Sequence, residues 1–305
     1  MTYTNYPVYI GRANSSLNPR SLDSVNYLLF ANTVRLSSST SQVEKRTLGE
    51  GFDQDNQFAY TSDRDFRISL EFYLKPKLRK GISGDSAYFF LYDDDFVFAN
   101  FQGNNLGNNY FPIKIGVEVY NRSYLNSYRI ELLPNLPVKV SAEFTCKGSS
   151  SNFGPRQQGA LPYEIYDKNL DGKDFIHADT CEVIGDYSQL ITNDIFSKIS
   201  YQKTYNRLFS YKPNQKLQTK ASITSIQDSL LIEGYDLSKV CPIEGIKLEN
   251  DLSINLKNKD GLQIGDGSSV FNIKMKAGSK VNQNSYNVQA GDVLNSSLVI
   301  ESLVY

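Results

Sequence analysis

Tryptophan is absent from this 305-residue chain, and histidine occurs once, at His177. Most acid–base and metal chemistry near neutral pH draws on histidine, so a single one argues against an enzyme. Cysteine occurs three times, at Cys146, Cys181 and Cys241, far apart and in no CxxC spacing. The expectation is three reduced, buried thiols in a protein folded in a cytoplasm. No charge of one sign dominates: 32 Lys and Arg stand against 33 Asp and Glu, a net of −1. The basic excess that marks a nucleic-acid binder is missing. No apolar run approaches the roughly 18 residues of a membrane span. Met1–Ile10 is polar and Tyr-rich, without the basic-then-apolar order of a signal peptide. No membrane association is expected.

What is present points to strands. Tyr (21) and Phe (17) are plentiful, and both fill a pleated, half-buried surface well. Asn and Ser are abundant, as in a turn-rich protein. Hydrophobic residues make up 40% and charged residues 21%, enough for a core and for solubility. The clearest periodicity is two. Phe66, Ile68, Leu70, Phe72 and Leu74 alternate with Arg67, Ser69, Glu71 and Tyr73, which predicts a strand with one buried face. Val138, Val140, Ala142 and Phe144 alternate in the same way, as do Tyr128, Ile130 and Leu132, and Leu252, Ile254 and Leu256. Pro134-Asn135 separates two of these runs and predicts a hairpin turn.

Helical signal is scarce. Ser188–Ile199 is the best case, capped by Asp186 or Ser188, with Leu190, Ile191, Ile195 and Ile199 on one side. Ala87–Tyr92, after Asp85, is a second short candidate. Both are too short to stand alone and would flank a sheet. Lys147–Gly159 is rich in Gly, Ser and Gln without periodicity and reads as a linker or long loop. Gly49–Asp63 and Asn100–Asn109 are also loop-rich. The expected organisation is mostly β: a domain over 1–147, a linker over 148–164 and a second β-domain over 165–305. Each domain is expected to be a β-sandwich or barrel with a short flanking helix. The halves share a pattern. Tyr124–Ile130 and Asn282–Val288 each carry Asn-Ser-Tyr two places before an apolar residue, then a turn signal (Pro134-Asn135; Gly291-Asp292) and a closing strand (Val138–Phe144; Leu298–Val304). Upstream, Ser41–Arg46 and Lys203–Arg207 both end at an Arg before a loop and further strands. The second half reads as a divergent repeat of the first, each of ordinary domain size.

On the Val34–Gly49 segment, the alternating Phe66–Leu74, Phe111–Gly116 and the Tyr124–Phe144 hairpin, the first half resembles tail tube and related virion proteins of tailed bacteriophages. The resemblance covers Tyr6–Cys146, and more loosely Phe175–Tyr305. It implies a sandwich or barrel with a small helix on its flank, and rings that stack into a tube with neighbouring subunits sharing β-sheet. Single-domain members form hexameric rings, so two tandem domains imply a trimer or a hexamer of this chain. The implied partners are further copies of the chain, other tail proteins, and DNA passing through the lumen without specific binding. The implied location is the virion tail, assembled in the host cytoplasm. Unpaired strand edges are the natural interface for such assembly. Gly49–Asp63 is placed to reach a next ring, and Asp93-Asp94-Asp95 is either an acidic lumen patch that repels phosphate or a solvated turn.

Other motifs carry fragments of chemical signatures. Asp167, Asn169 and Asp171, with Gly172 at the sixth position, match the first half of an EF-hand calcium loop. The twelfth position is Ala178 where Glu is needed, so a polar Asx-type turn is expected and no metal. His177 lies near Asp174, Asp179 and Cys181, without an oxyanion-type Gly motif, and reads as structural. Gly261–Gly267 lacks the GK[ST] of a phosphate loop and reads as turns. Asp63 and Asp65 sit beside Arg64 and Arg67 and do not read as a glycosidase pair. No catalytic residue and no cofactor is expected. A self-assembling structural protein is the leading expectation. A carbohydrate- or host-surface-binding β-sandwich of a virion, using exposed Tyr and Asn, is the alternative, and a hydrolase on a β-scaffold ranks third.

Overall fold

A computed structural model of the chain describes residues 6–10, 27–39, 42–44, 58–60, 65–74, 110–115, 118–146, 181–186, 196–211, 218–235, 246–256, 272–287 and 295–304. These residues are mostly β, in antiparallel sheets, and no helix occurs among them. The first half carries β1 (Tyr6–Ile10), β2 (Tyr27–Ala31), β3 (Thr33–Ser39), β4 (Gln42–Glu44), β5 (Phe58–Tyr60), β6 (Asp65–Tyr73), β7 (Phe111–Ile115), β8 (Glu118–Leu132) and β9 (Lys139–Cys146). The second carries β10 (Glu182–Ile184), β11 (Phe196–Tyr211), β12 (Gln218–Tyr235), β13 (Leu252–Asn255), β14 (Asn272–Met275), β15 (Lys280–Asn287) and β16 (Asn295–Val304).

The alternating runs become strands because each buries one face. Ile68, Leu70, Phe72 and Leu74 are wholly buried, as are Val138, Val140, Ala142 and Phe144. Ile68 stands opposite Phe144, and Leu70 opposite Ala142, so large and small side chains interlock across the ladder. The turn between β8 and β9 uses Asn135 at φ 61°, a left-handed conformation that Asn tolerates better than most residues. The expected Pro134-Asn135 hairpin is therefore present, closed by the Leu136 amide donating to the Leu133 carbonyl.

In the first half the pairings run in a circuit. β8 pairs with β9, β9 with β6, β6 with β3; β2 pairs with β1, β1 with β7, and β7 returns to β8. β2 and β3 follow one another through a bend at Asn32, whose amide donates to the Glu71 carbonyl. Inside lie Val8, Ile113, Leu125 and Ile130, and the rings of Phe66 and Tyr120 meet edge to face at 5.3 Å. Burying each large aliphatic or aromatic side chain stabilises by about 1.5–3 kcal/mol.

The second half continues the same sheet. β11 pairs with the far end of β8, and the order runs on through β12 and β16 to β15. Strands from both sides of residues 147–164 thus share one eleven-stranded sheet. A three-stranded sheet, β10-β13-β14, contributes Leu252, Ile254, Ile273 and Met275 to the same core as Leu230, Ile232 and Ile300. Two carboxylates tie it down. Asp186 accepts from the amides of Glu249 and Asn250 and from the Asn250 side chain. Asp251 accepts from the Ala277 amide and pairs with Lys274 at 2.7 Å. Gly185 has φ 105°, and a Cβ there would stand 1.9 Å from the Asp251 carbonyl oxygen, so the turn before Asp186 requires glycine. β4 and β5 form a separate hairpin, so Phe58–Tyr60, read as loop, is strand.

The helix expected over Ser188–Ile199 is corrected at its end. Phe196–Ile199 is strand, because β11 has a partner on each edge and pairing overrides the local spacing. Residues 188–195 and the Ala87–Tyr92 candidate lie outside the described residues. The loop expected after Arg207 is also corrected: β11 runs on to Tyr211. Both Asn-Ser-Tyr segments lie in the first strand of an antiparallel hairpin, β8–β9 and β15–β16.

Two outcomes follow. Phe144→Ala removes a wholly buried ring at the centre of the circuit and is expected to cost about 3–5 kcal/mol, read by urea denaturation. The second concerns acid. Hydrogen bonds from Asn250 and Glu249 hold Asp186 below the ordinary 3.8 of an aspartate, and Lys274 and the Ala277 amide do the same for Asp251. A lowered folded value contributes stability above the unfolded value, and that contribution is lost as pH falls through the folded one. Protection of the Glu249, Asn250 and Ala277 amides, taken relative to their intrinsic exchange at each pH, should therefore fall below about pH 4, ahead of β6 and β9, and should hold steady between pH 5 and 8.

Candidate assembly surface

A strand has two edges, yet β8 has three partners. β9 holds one edge, pairing with both Ser123 and Ser127. On the other edge β7 pairs up to Ser123, and β11 takes over from Ser127. Neither pairs with Tyr124, Leu125 or Asn126. Asn126 is the extra residue of a bulge against β9, and its side chain bonds Thr145 Oγ1.

Arg207 fills this fork. Its Nε donates to the Leu125 carbonyl at 3.0 Å, supplying a donor where the ladder has none. Its guanidinium lies 5.7 Å from the Tyr124 ring and 5.8 Å from the Tyr205 ring. Burial lowers its pKa from the usual 12.5 to about 10, so it stays charged at neutral pH. Tyr124, which points away from the first-half core, is nonetheless 2% exposed, because Phe209 of β11 meets it edge to face at 5.5 Å and Tyr110 at 6.2 Å. The fork is thus an aromatic and cationic joint between the halves.

The outward face of the sheet is broad and polar. One row crosses eight strands through direct register: Thr33, Glu71, Ser141, Arg129, Gln202, Ser229, Glu301 and Lys280. The next runs Arg35, Ser69, Glu143, Ser127, Thr204, Gln227 and Leu303. At about 4.8 Å per strand the face spans about 34 Å. Its charges pair locally: Lys139 with Glu71 at 3.1 Å and Arg129 with Glu131 at 3.0 Å. Exposed pairs of this kind add little stability, but they leave the face without a net sign.

Beyond Ile226, which pairs with Val304, the Gln218–Ser225 stretch of β12 pairs only with β11 among the described strands. The β11–β12 ribbon bends there. Thr224 is an extra residue between the Asn206–Ser225 and Arg207–Ile223 pairs, and its hydroxyl donates to the Asn206 carbonyl. Leu208, on the outward face of this ribbon, is 63% exposed.

Most of the residues singled out for chemistry lie outside the described residues: Asp167, Asn169, Asp171, Asp174, His177, Asp179, Asp93–Asp95 and Gly261–Gly267. Among the described residues, no group of three or more His, Cys, Asp or Glu side chains is placed to hold a metal. Cys146 is buried, 3.0 Å from Ser123 Oγ, and Cys181 is half-buried. No helix among the described residues is long and apolar enough to cross a membrane. The Arg207 joint escaped sequence reading; its only sign was a charge at a position in phase with Tyr201 and Tyr205. No family model matches the chain, and no curated protein matches it.

Arg207→Met keeps the apolar stem and removes the donor to Leu125. It is expected to cost about 1–3 kcal/mol in urea denaturation. Arg207→Lys should not restore the loss, since an ammonium lacks the planar Nε–H that reaches the carbonyl.

Proposed function

We propose that the protein is a structural subunit that assembles with copies of itself, as a tail tube or tube-like protein of a bacteriophage virion. The observation that carries this reading is the outward face across eight strands of the sheet, wide, mostly polar and balanced in charge. DNA binding draws its free energy from lysine and arginine that displace counterions from phosphate. A face whose charges balance, several of them already paired, offers little of that, so a channel walled by it would let DNA slide. In this reading each half is a barrel or sandwich domain of tail-tube type, with any flanking helix outside the described residues. The circuit of β1, β2–β3, β6, β9, β8 and β7 supports a barrel for the first half. Two such domains per chain suit a ring of three chains with sixfold-like symmetry, or of six.

The reading of a carbohydrate-binding module has less support. Sugar platforms use exposed aromatic rings, whereas Tyr120, Tyr124, Tyr128, Tyr201 and Tyr205 are each no more than 3% exposed.

Negative-stain electron microscopy with light scattering tests the proposal. Rings or tubes with a central channel are expected, with a ring mass three or six times the 34.4 kDa of the chain. A monodisperse monomer at high concentration contradicts it and moves the weight to the binding module, which a glycan array then tests.

A further inference from the structure

Between Ile199 and Tyr205, short of the Arg207 joint, the core face of the long hairpin is apolar except for one row. Ile199, Tyr201 and Tyr205 of β11 face Ile232, Leu230 and Ile226 of β12. Between them Lys203 faces Asp228, with Nζ and Oδ1 3.8 Å apart and both side chains largely buried. The Tyr201 hydroxyl donates to the same oxygen at 3.0 Å, and the Lys203 ammonium lies 6.0 Å from the Tyr205 ring. The row continues sideways: Lys203 stands opposite Tyr128 of β8, and Asp228 opposite Ser302 of β16. One polar row therefore crosses four strands.

Side chains in a strand repeat every two residues, so a one-residue slip exposes the core face, but a two-residue slip keeps it inside. For β11 and β12 that slip is almost free of penalty elsewhere. Moved one way, Tyr201 faces Ile232; moved the other, Ile199 faces Leu230. The outward face, Gln202, Thr204 and Asn206 against Ser229, Gln227 and Ser225, stays largely polar, with Gln202 meeting Leu231 in one direction and Gln227 in the other. Only the charged row resists. A slip places Lys203 against Leu230 or Ile226, and a buried charge facing an apolar partner costs several kcal/mol.

We propose that the Lys203–Asp228 pair is the register key of the long hairpin, and through Ser302 and Tyr128 of the sheet that joins the two halves. Its role is selection among pairings rather than stability, since a buried ion pair replaced by apolar residues of similar volume is often neutral. The function proposed above is not needed for this inference.

Disulfide trapping reads the register directly. Residues directly opposite lie within disulfide reach, whereas diagonal ones lie about 7–8 Å apart. Gln202→Cys with Ser229→Cys reports the native register; Gln202→Cys with Leu231→Cys, or with Gln227→Cys, reports the two slips, each assigned by peptide mapping. With the natural pair, the native crosslink alone is expected. With Lys203→Met and Asp228→Leu together, a slipped crosslink should appear at about a tenth or more of the native one. The exchanged pair, Lys203→Asp with Asp228→Lys, should return to the native crosslink alone. An apolar variant that crosslinks only in the native register overturns the proposal. So does an apolar variant that fails to fold, because the pair would then be a stability element, and so does an exchanged pair that folds but slips.

Discussion

Everything else in this sheet depends on one strand having too many partners. β8 is long enough to serve β7 with its first part and β11 with its second, while β9 occupies its other edge from Ser123 to Glu131. The changeover leaves a gap in the ladder, and backbone groups in a gap must find donors and acceptors elsewhere. Arg207 answers for the Leu125 carbonyl. Because β11 leaves β8 at that point, its side chains pass over the outside of the first circuit, and Tyr124 becomes a buried residue on an outward face. The bulge at Asn126, the aromatic joint and the shared sheet are consequences of a single geometric demand.

The two faces of the sheet divide the electrostatic labour. Inside, charge is rare and placed where it discriminates between pairings. Outside, charge is common and cancelled between neighbours. The small sheet uses a third arrangement: the exposed carboxylates of Asp186 and Asp251 accept backbone amides at turns, where they serve as clasps. Those clasps demand that the chain pass closely, which is why Gly185 leaves no room for a side chain against Asp251.

The strands of the first half were legible because their buried faces are uninterrupted. Phe66–Leu74 and Val138–Phe144 alternate cleanly, and both are strands with the expected faces inward. The longest strands among the described residues, β11 and β12, have no such signature. On β11 the alternation is broken by Lys203 and Arg207, and on β12 by Asp228 and by the bulge at Thr224, which shifts the phase of everything beyond it. The helical spacing of Leu190, Ile191, Ile195 and Ile199 was a coincidence at its last member, which belongs to a strand paired on both edges. The union of β8 with β11 had no local signature at all, since a pairing across more than 60 residues of sequence leaves no periodicity in either segment. Of the joint at the fork, the sequence held the residues but not their meeting.

The β8–β11 ladder has a consequence for how the chain tolerates being cut. A break within residues 147–164 would separate two pieces, each ending its sheet on an open ladder: the Ser127–Leu132 edge of β8 and the Ile199–Thr204 edge of β11. These edges are complementary in hydrogen bonding and in side chains, with Ile130 against Tyr201 and Leu132 against Ile199. Neither piece satisfies its own backbone alone, and each is the other's best partner. The halves are therefore suited to reunite as separate polypeptides, and each, made alone, would carry an adhesive flank.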